Sequence, residues 1–275
     1  MTVTDSQFGC PGDKFINKEG TNTKIIIDPH PSYFATTLPN DRKIFDKLIL
    51  IQGLEPKNLS YISNEVIEFH KSFDLILTSY QEVLDVCKNS KLFLYASCWI
   101  LTDKNENSVY LKKDYHNIFS TEKKFKLSHV MSQKNFLPGH ELRHKTKDLI
   151  KKERTFELFF PDGISMSQKF QLFKDSMFHI TIENSQNHNY ISEKVVDCFM
   201  SYTIPIYWGC PNIGQYFNSD GIISFKTEKE LEDILESLTP EDYNKRINAV
   251  LENYKIAFEN YSFWYDRVNK EIENL

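Results

Sequence analysis

The residues best suited to chemistry lie close together in the stretch Phe178–Phe225. Glu183, Asn184 and Ser185 follow an apolar run, Phe178–Ile182, that has the length and composition of a buried strand. Open α/β sheets bind their ligands at the carboxyl ends of such strands. The pattern therefore predicts a polar binding site immediately after this strand.

A second group of polar residues opens a predicted helix, Glu193–Ser201, with Ser192 as its N-cap. A glutamate in the first turn, such as Glu193, is favoured by the helix dipole by ~0.3–1 kcal/mol. Lys194 opposes the same dipole. It is either a solvated surface lysine or a ligand for an anion, such as a diphosphate, bound over the helix start.

Several familiar active-site motifs are absent from the sequence. It has no G-x-G-x-x-G, P-loop, H-E-x-x-H or G-x-S-x-G motif, and no D-x-D pair to hold a divalent metal. His140 and His144 have a spacing that metal ligands can adopt, but no third ligand is apparent, so we predict histidines at the surface or in a ligand-binding loop. A diphosphate would have to be neutralised by side-chain cations and helix ends.

Short apolar strands alternate with amphipathic helices, and this alternation predicts an α/β fold with right-handed crossovers. The predicted strands are Lys24–Ile27, Lys47–Ile51, Asp74–Thr78, Leu92–Tyr95, Phe125–Met131, Phe156–Phe160, Phe178–Ile182, Ile204–Trp208 and Gly221–Phe225. The predicted helices are Asn64–Ser72, Gln81–Lys88, Leu142–Glu153, Glu193–Ser201 and Glu228–Leu238.

Sparse apolar residues in Asp103–Asn107 and Asp114–Lys124 place a domain boundary near residue 120. The predicted domains are two small α/β halves, residues 1–120 and residues 121–257, with a cleft between them. The helical tail, residues 258–275, is expected to pack on the first half.

The composition excludes several classes of protein. The 275 residues carry 33 basic and 38 acidic side chains, a net charge of −5, which argues against a nucleic-acid partner. No apolar run approaches the roughly 20 residues of a membrane span, and Met1–Gly20 lacks the apolar core of a signal peptide. Five cysteines without a C-x-x-C spacing indicate reduced thiols. We therefore expect a soluble protein of the cytoplasm.

The stretch Phe178–Phe225 resembles the signature of the α-1,3/1,4-fucosyltransferases, glycosyltransferase family 10, especially the bacterial Lewis-antigen type. The matching residues are Glu183-Asn184-Ser185, Tyr190, Ser192-Glu193-Lys194 and Thr203-Ile204-Pro205-Ile206-Tyr207-Trp208-Gly209. The resemblance is strong over Met177–Phe225 and weaker elsewhere. It implies an α/β GT-B architecture, two Rossmann-like domains facing across a cleft, in agreement with the two halves predicted from the residue pattern. By this resemblance residues 1–120 would form the acceptor side and residues 121–257 would bind the donor, a GDP-sugar.

The resemblance also implies an activity. It is the transfer of L-fucose, with inversion, from GDP-β-L-fucose to a hydroxyl of an acceptor oligosaccharide, in an α-1,3 linkage. Glu193 would bind the donor ribose and Lys194 the diphosphate, while Asn184 and Tyr190 would line the donor pocket. The ammonium of Lys194 would stabilise the charge that develops on the departing GDP. Neither a divalent metal nor a tightly bound cofactor is expected.

Two further residues match catalytic positions of the family. Arg143, early in a predicted helix, matches the arginine that grips the diphosphate, and its planar fork suits phosphate oxygens. Lys134 or Arg154 could take this role instead. Glu55, after the apolar run Leu48–Ile51 and before a proline, matches the general base. Because the match around Glu55 is short, a plain loop carboxylate is the alternative interpretation.

Two alternatives to fucose transfer stay open. The residues that would bind the ribose and the phosphates would not contact the transferred hexose. A GDP-sugar other than GDP-fucose therefore fits these residues equally well. A non-catalytic sugar-nucleotide-binding module is the second alternative. It would bind the donor without turnover.

Overall fold

The computed structural model describes residues 14–18, 20–53, 56–100, 112–152, 157–159, 166–261 and 264–275. Within them the chain forms two five-stranded sheets that belong to two compact units. The first unit comprises residues 1–95, 187–190 and 265–275, and the second comprises residues 96–186 and 191–264. The predicted α/β class is confirmed. The units change over at residue 95, and the domain boundary near residue 120 stays a prediction.

The first sheet consists of β1 (Lys14–Lys18), β2 (Thr21–Ile27), β3 (Lys47–Gln52), β4 (Leu75–Thr78) and β5 (Ser90–Leu92), in this spatial order. β1 pairs antiparallel with β2, and the other pairings are parallel. The helices between these strands are α1 (Ser32–Thr36), α2 (Leu38–Ile44), α3 (Pro56–Phe69) and α4 (Gln81–Val86). Alternate residues of the strands, such as Leu48 and Leu50, form one core with Phe34 and Val66 of the helices.

The edge strands of this sheet differ from the sequence prediction. β5 occupies Ser90–Leu92 instead of Leu92–Tyr95, and β1 was not predicted. An edge strand pairs on one side only, so it does not need the continuous apolar run used to predict buried strands. Two of the three β5 residues, Lys91 and Leu92, are exposed, whereas the buried Phe93 and Leu94 follow the strand.

The second sheet consists of β6 (Lys124–His129), β7 (Glu157–Phe159), β8 (Ser176–Ile182), β9 (Ile204–Trp208) and β10 (Ile223–Ser224). Its order is β10-β9-β8-β6-β7, and all pairings are parallel. The helices of this unit are α5 (Pro138–Lys152), α6 (Met166–Asp175), α7 (Glu193–Met200), α8 (Glu228–Ser237) and α9 (Pro240–Asn260). α6 was not predicted from the sequence.

The order of the second sheet contains a topological switch point. β6 and β8 lie side by side, although β7 comes between them along the chain. The connections that leave the carboxyl ends of β6 and β8 therefore diverge, and such a divergence opens a crevice at that edge. The predicted polar residues after β8 lie at this edge.

Pro205 lies in β9, which has neighbours on both sides, although proline cannot donate a ladder hydrogen bond. β10 pairs only with Ile206 and Tyr207, so Pro205 precedes the part of β9 that is paired on both sides. The early position predicted for this proline is confirmed. The following Tyr207 and Trp208 are buried, as predicted.

The last helix, α10 (Trp264–Glu273), follows α9, and residues 265–275 belong to the first unit. Glu271 of α10 forms an ion pair with Lys91 of β5 at 2.5 Å, and Arg267 donates to the carbonyl oxygen of Leu94. No helix of the described residues has both the length and the apolar character required to cross a bilayer. The described cysteines, Cys87, Cys98, Cys198 and Cys210, are buried free thiols.

Candidate active site

The site lies where α5 meets the chain that follows β8. The backbone N–H of Gly139, in the first turn of α5, donates to the carbonyl oxygen of Asn184 at 3.0 Å. A Cβ atom on residue 139 would stand 1.7 Å from the carbonyl oxygen of Glu183, so only glycine fits here. The N-terminus of α5 is thereby brought to the switch point.

The carboxylate of Glu183 ties the end of β8 to the start of α7. Its two oxygens accept hydrogen bonds from the backbone N–H of Ser192 at 3.0 Å and from the Ser192 hydroxyl at 2.6 Å. The same hydroxyl accepts from the backbone N–H of Lys194 at 3.3 Å, which confirms Ser192 as the N-cap. Glu183 is fully buried. Burial raises the pKa of its carboxyl group, and this effect is larger than the lowering caused by the positive charge of Lys194.

The ammonium of Lys194 lies among these groups and is partly exposed. It stands 3.2 Å from Glu193, 3.1 Å from the Ser192 hydroxyl and 3.6 Å from Glu183. In this state Lys194 is held by two carboxylates. Its alternative interpretation as a solvated surface lysine is wrong, because 22% of its side chain is exposed and its charge is paired.

Glu193 is held in its ionised form. Burial works against its charge, but the ammonium groups of Lys194 and Lys169 outweigh burial and lower the pKa of Glu193 to about 2. Only 13% of the Glu193 side chain is exposed. A carboxylate with two acceptor oxygens can bind the two hydroxyls of a ribose.

Arg143 lies one turn into α5 and reaches the same segment. Its Nε and Nη2 atoms donate to the carbonyl oxygen of Ile182 at 3.2 and 2.7 Å, and Nη2 also donates to the side chain of Asn184 at 2.5 Å. The arginine is buried. The structure thus brings Arg143, Asn184, Glu193 and Lys194 to one edge of the second sheet.

Two buried charged residues that the sequence analysis did not single out complete this region. Lys169 of α6 forms a 2.5 Å ion pair with Asp197 of α7, and 10% and 0% of the two side chains are exposed. Burial opposes the charged lysine, but Asp197 outweighs it, so the pKa of Lys169 is raised. The burial of Lys169 could have been predicted from the sequence, because it lies three and four residues before Leu172 and Phe173 and therefore on the apolar face of α6.

The other predicted residues divide into three groups. Tyr190 is buried and belongs to the first unit. Glu55 and Arg154 lie outside the described residues, so their roles stay predictions. Lys134 is exposed on the connection before α5.

The two histidines of α5 differ from each other. His140 is buried, so the surface alternative of its prediction is wrong, and the ligand-binding alternative stays a prediction. Its ring packs edge-on against Phe136 at 4.7 Å. The Nε2 atom of His144 lies 3.1 Å from the carbonyl oxygen of Lys134. Among the residues described by the structure, no group of three or more His, Cys, Asp or Glu side chains could hold a metal ion.

Comparisons with known proteins point to one family. Residues 140–263 match the model of the C-terminal region of glycosyltransferase family 10, the fucosyltransferases. The α-(1,3)-fucosyltransferase FucT of Helicobacter pylori is 27% identical over 110 residues, which are 39% of this chain. The matched segment spans 23% of that curated relative.

The fold is also similar to solved structures. A crystal structure of an α1,3-fucosyltransferase has a TM-score of 0.57 and 19% identity, covering 91% of this chain and 77% of the other. A crystal structure of an α1,3-fucosyltransferase with GDP has a TM-score of 0.52 and 20% identity, covering 83% and 72%. At this identity the likeness concerns the fold, which is GT-B. Residues 140–263 are thus similar to the C-terminal region of glycosyltransferase family 10, the fucosyltransferases, and 110 residues of the chain are similar to the Helicobacter pylori enzyme.

Proposed function

We propose that this chain transfers L-fucose from GDP-β-L-fucose to a hydroxyl of an acceptor glycan, with inversion and in a single displacement. One observation carries the proposal. The N-termini of α5 and α7 meet at the switch point of the second sheet, with Arg143 and Lys194 beside them. Two helix N-termini and two cations suit a diphosphate. The sugar and the nucleotide are those in the names of similar proteins, the α-(1,3)-fucosyltransferase of Helicobacter pylori and an α1,3-fucosyltransferase with GDP.

Lys194 is proposed to exchange partners when the donor binds. Its ammonium would move from the carboxylates of Glu183 and Glu193 to the diphosphate, which carries more charge. Glu193 would then accept the ribose hydroxyls, and the lysine would stabilise the negative charge on the departing GDP. The exchange is proposed to occur by rotation of the Lys194 side chain, while hydrogen bonds to Glu183 and to the N-cap hold the backbone of residues 192–194 in place.

Arg143 is proposed as the second diphosphate ligand. The carbonyl of Ile182 and the amide of Asn184 fix its guanidinium before the donor arrives. A preorganised cation loses little side-chain entropy on binding and therefore binds phosphate more tightly. Asn184 contributes through this contact, and Tyr190 is proposed to line the donor pocket.

The remaining roles follow the family resemblance. Glu55 is proposed as the general base that removes the proton of the acceptor hydroxyl. The acceptor is proposed to be the 3-hydroxyl of N-acetylglucosamine or glucose in a β-galactoside, as the family resemblance implies, and the name of the Helicobacter pylori relative also gives an α-(1,3) linkage. Side-chain cations and helix ends would do the work of a metal, so turnover should persist in excess EDTA.

A GDP-release assay tests this function. The protein is mixed with GDP-fucose and an array of β-galactoside acceptors, in parallel with GDP-mannose and UDP-glucose, with and without EDTA. We expect acceptor-dependent release of GDP from GDP-fucose, and its loss in Glu55→Gln. Turnover with GDP-mannose alone would identify another GDP-sugar as the donor. Calorimetric binding of GDP-fucose without turnover on any acceptor would identify a binding module, and no binding of any GDP-sugar would refute the proposal.

A further inference from the structure

We propose that Lys169 is a positioning residue of the donor site, the permanent counter-ion of Glu193 that allows Lys194 to leave for the diphosphate. The inference rests on the proposed function, because it concerns what Glu193 requires when a donor is bound. No role for Lys169 follows from the sequence motif, which begins at β8.

The ammonium of Lys169 is fixed by its surroundings. It contacts Asp197 at 2.5 Å and lies 5.4 Å from the centre of the Trp99 ring. Asp197 is itself anchored, since its Oδ1 atom accepts from the backbone N–H groups of Trp99 and Ile100 at 2.7 and 3.2 Å. All four residues belong to the second unit. This cation therefore stays in place while the more exposed Lys194 can rotate.

The geometry of α7 aligns Lys169 with Glu193. Glu193 and Asp197 are four residues apart on this helix, so their side chains lie on the same face, one turn apart. A cation that contacts Asp197 from α6 therefore also attracts the carboxylate of Glu193. This attraction contributes, with that of Lys194, to the lowered pKa of Glu193.

The charges around Glu193 explain why a second cation is needed. In the described residues, Lys194 and Lys169 attract its carboxylate, while Glu183 and Asp197 carry the same charge as Glu193. When Lys194 pairs with a diphosphate, Glu193 gains an anionic neighbour and loses its nearest cation. Lys169 is the cation that remains among these groups.

The test compares variants at the two ends of one ion pair. Lys169→Met removes the counter-ion of Glu193, whereas Asp197→Asn breaks the same ion pair but leaves the cation in place. The side-chain amide introduced by Asp197→Asn can still accept from the backbone N–H groups of Trp99 and Ile100. Lys123→Met is the matched control, because the Lys123 ammonium donates to carbonyl groups at the end of α6 without reaching Glu193. Lys169→Arg tests rescue by a conserved charge.

Two measurements apply to the full chain. The first is the titration of the Glu193 carboxyl by ¹³C NMR, which requires no ligand. The second is the GDP dissociation constant by calorimetry between pH 5 and pH 8, expressed relative to the wild type so that the titration of GDP cancels.

The expected result separates positioning from a structural role. In Lys169→Met the Glu193 titration should move upward by about one pH unit or more, and GDP affinity should fall about tenfold at pH 8 and by no more than that at pH 5, because Glu193 is ionised in the free protein at both values and meets the diphosphate without its counter-ion. Asp197→Asn, Lys169→Arg and Lys123→Met should keep wild-type affinity at both values. If Lys169→Met does not fold, the double variant K169M/D197N, which leaves no unpaired buried charge, should show the same loss of affinity.

Two results would overturn the inference. One is an unchanged Glu193 titration in Lys169→Met or in the double variant. The other is equal loss of thermal stability in Lys169→Met and Asp197→Asn with GDP affinity retained in both, the behaviour of a purely structural ion pair. If the wild type binds no GDP, the proposed function fails with it, while the carboxyl titration still reports on the contact between Lys169 and Glu193.

Discussion

The carboxyl edges of the two sheets are built on different principles. At the edge of the second sheet, Glu183, Arg143 and Lys194 are charged, buried or half-buried, and linked by hydrogen bonds and ion pairs. At the edge of the first sheet, Gln52 and Thr78 of β3 and β4 are neutral, and the carboxylate of Asp28, directly after β2, accepts a hydrogen bond from the backbone N–H of Gly53 at 2.9 Å. Neither end of the Gln52 amide has a hydrogen-bond partner among the described residues.

The difference follows the order of the strands. The strands of the first sheet lie in sequence order, so no two neighbouring described strands send their connections in opposite directions. The second sheet has such a switch point between β6 and β8. A site for a highly charged ligand requires cations that are held in place before binding. The carboxyl edge of the second sheet meets this requirement, and we therefore propose that the donor is recognised there.

Of the substitutions considered, removal of the Lys194 ammonium at the edge of the second sheet should have the largest effect. In Lys194→Met we expect GDP affinity to fall by roughly 2–5 kcal/mol, because a desolvated anion loses its charge-assisted partner. The control Lys226→Met removes an exposed lysine of the same unit and should bind GDP as the wild type does. Calorimetry compares the two. Equal affinities would place the diphosphate elsewhere.

The stability of the second unit should depend on pH more strongly than that of the first. Burial, with a contribution from the charge of Arg143, lowers the pKa of His129 to about 4, and burial also lowers the pKa of His179. Below pH 6.5 these histidines take up protons only in the unfolded state, so stability is full above this value and falls toward pH 4. For His129 alone the loss is about 3 kcal/mol.

Urea unfolding at pH 7, 5.5 and 4.5, followed by hydrogen exchange of β6 and β8 against β3 and β4, measures this dependence. His129→Gln should flatten the curve of the second unit. A protein whose two sheets lose protection in parallel as the pH falls would contradict the assignment to His129 and His179.

The close approach of α5 provides a third test. Gly139→Ala should cost roughly 1–3 kcal/mol of stability, since the new methyl group meets the carbonyl of Glu183 and the helix must shift. The same shift displaces Arg143, so GDP affinity should fall as well. Glu141→Ala, an exposed change in the same turn, serves as the control in thermal denaturation and calorimetry. Wild-type behaviour of Gly139→Ala would show that the contact is not required.

The smallest change in stability is expected at the carboxyl edge of the first sheet, where one substitution should stabilise the protein. Gln52→Leu removes a buried amide without partners among the described residues and should stabilise the protein by about 1 kcal/mol, with GDP affinity unchanged. Thr78→Val, at the position paired with Gln52, should instead destabilise it, because the Thr78 hydroxyl accepts from the backbone N–H of Tyr80 at 3.1 Å. Chemical denaturation of both variants tests the contrast. Destabilisation by both would show that Gln52 is satisfied after all.

Sequence reasoning was most successful where one residue pattern had one physical explanation. The buried strands β8 and β9, the N-cap Ser192 and the helix start at Glu193 were predicted, because apolar runs and capping residues act over short distances. Arg143 was placed through the family resemblance, and the structure puts it beside Asn184.

Features that depend on distant contacts could not be predicted in the same way. The role of the Glu183 carboxylate depends on how the loop between β8 and α7 folds back, and the pairing of Lys169 with Asp197 needs two helices to pack. Edge strands such as β1 and β5 lack an apolar signature, because one side of each is open. The burial of His140 depends on how the first turn of α5 meets the loop after β8.

A crystal structure of the protein with GDP tests the central claim most directly. We predict the diphosphate over the N-termini of α5 and α7, with the Lys194 ammonium and the Arg143 guanidinium within hydrogen-bond distance of its oxygens and the ribose on Glu193. A nucleotide bound elsewhere, or a Lys194 that keeps its contacts with Glu183 and Glu193 while GDP is bound, would contradict it.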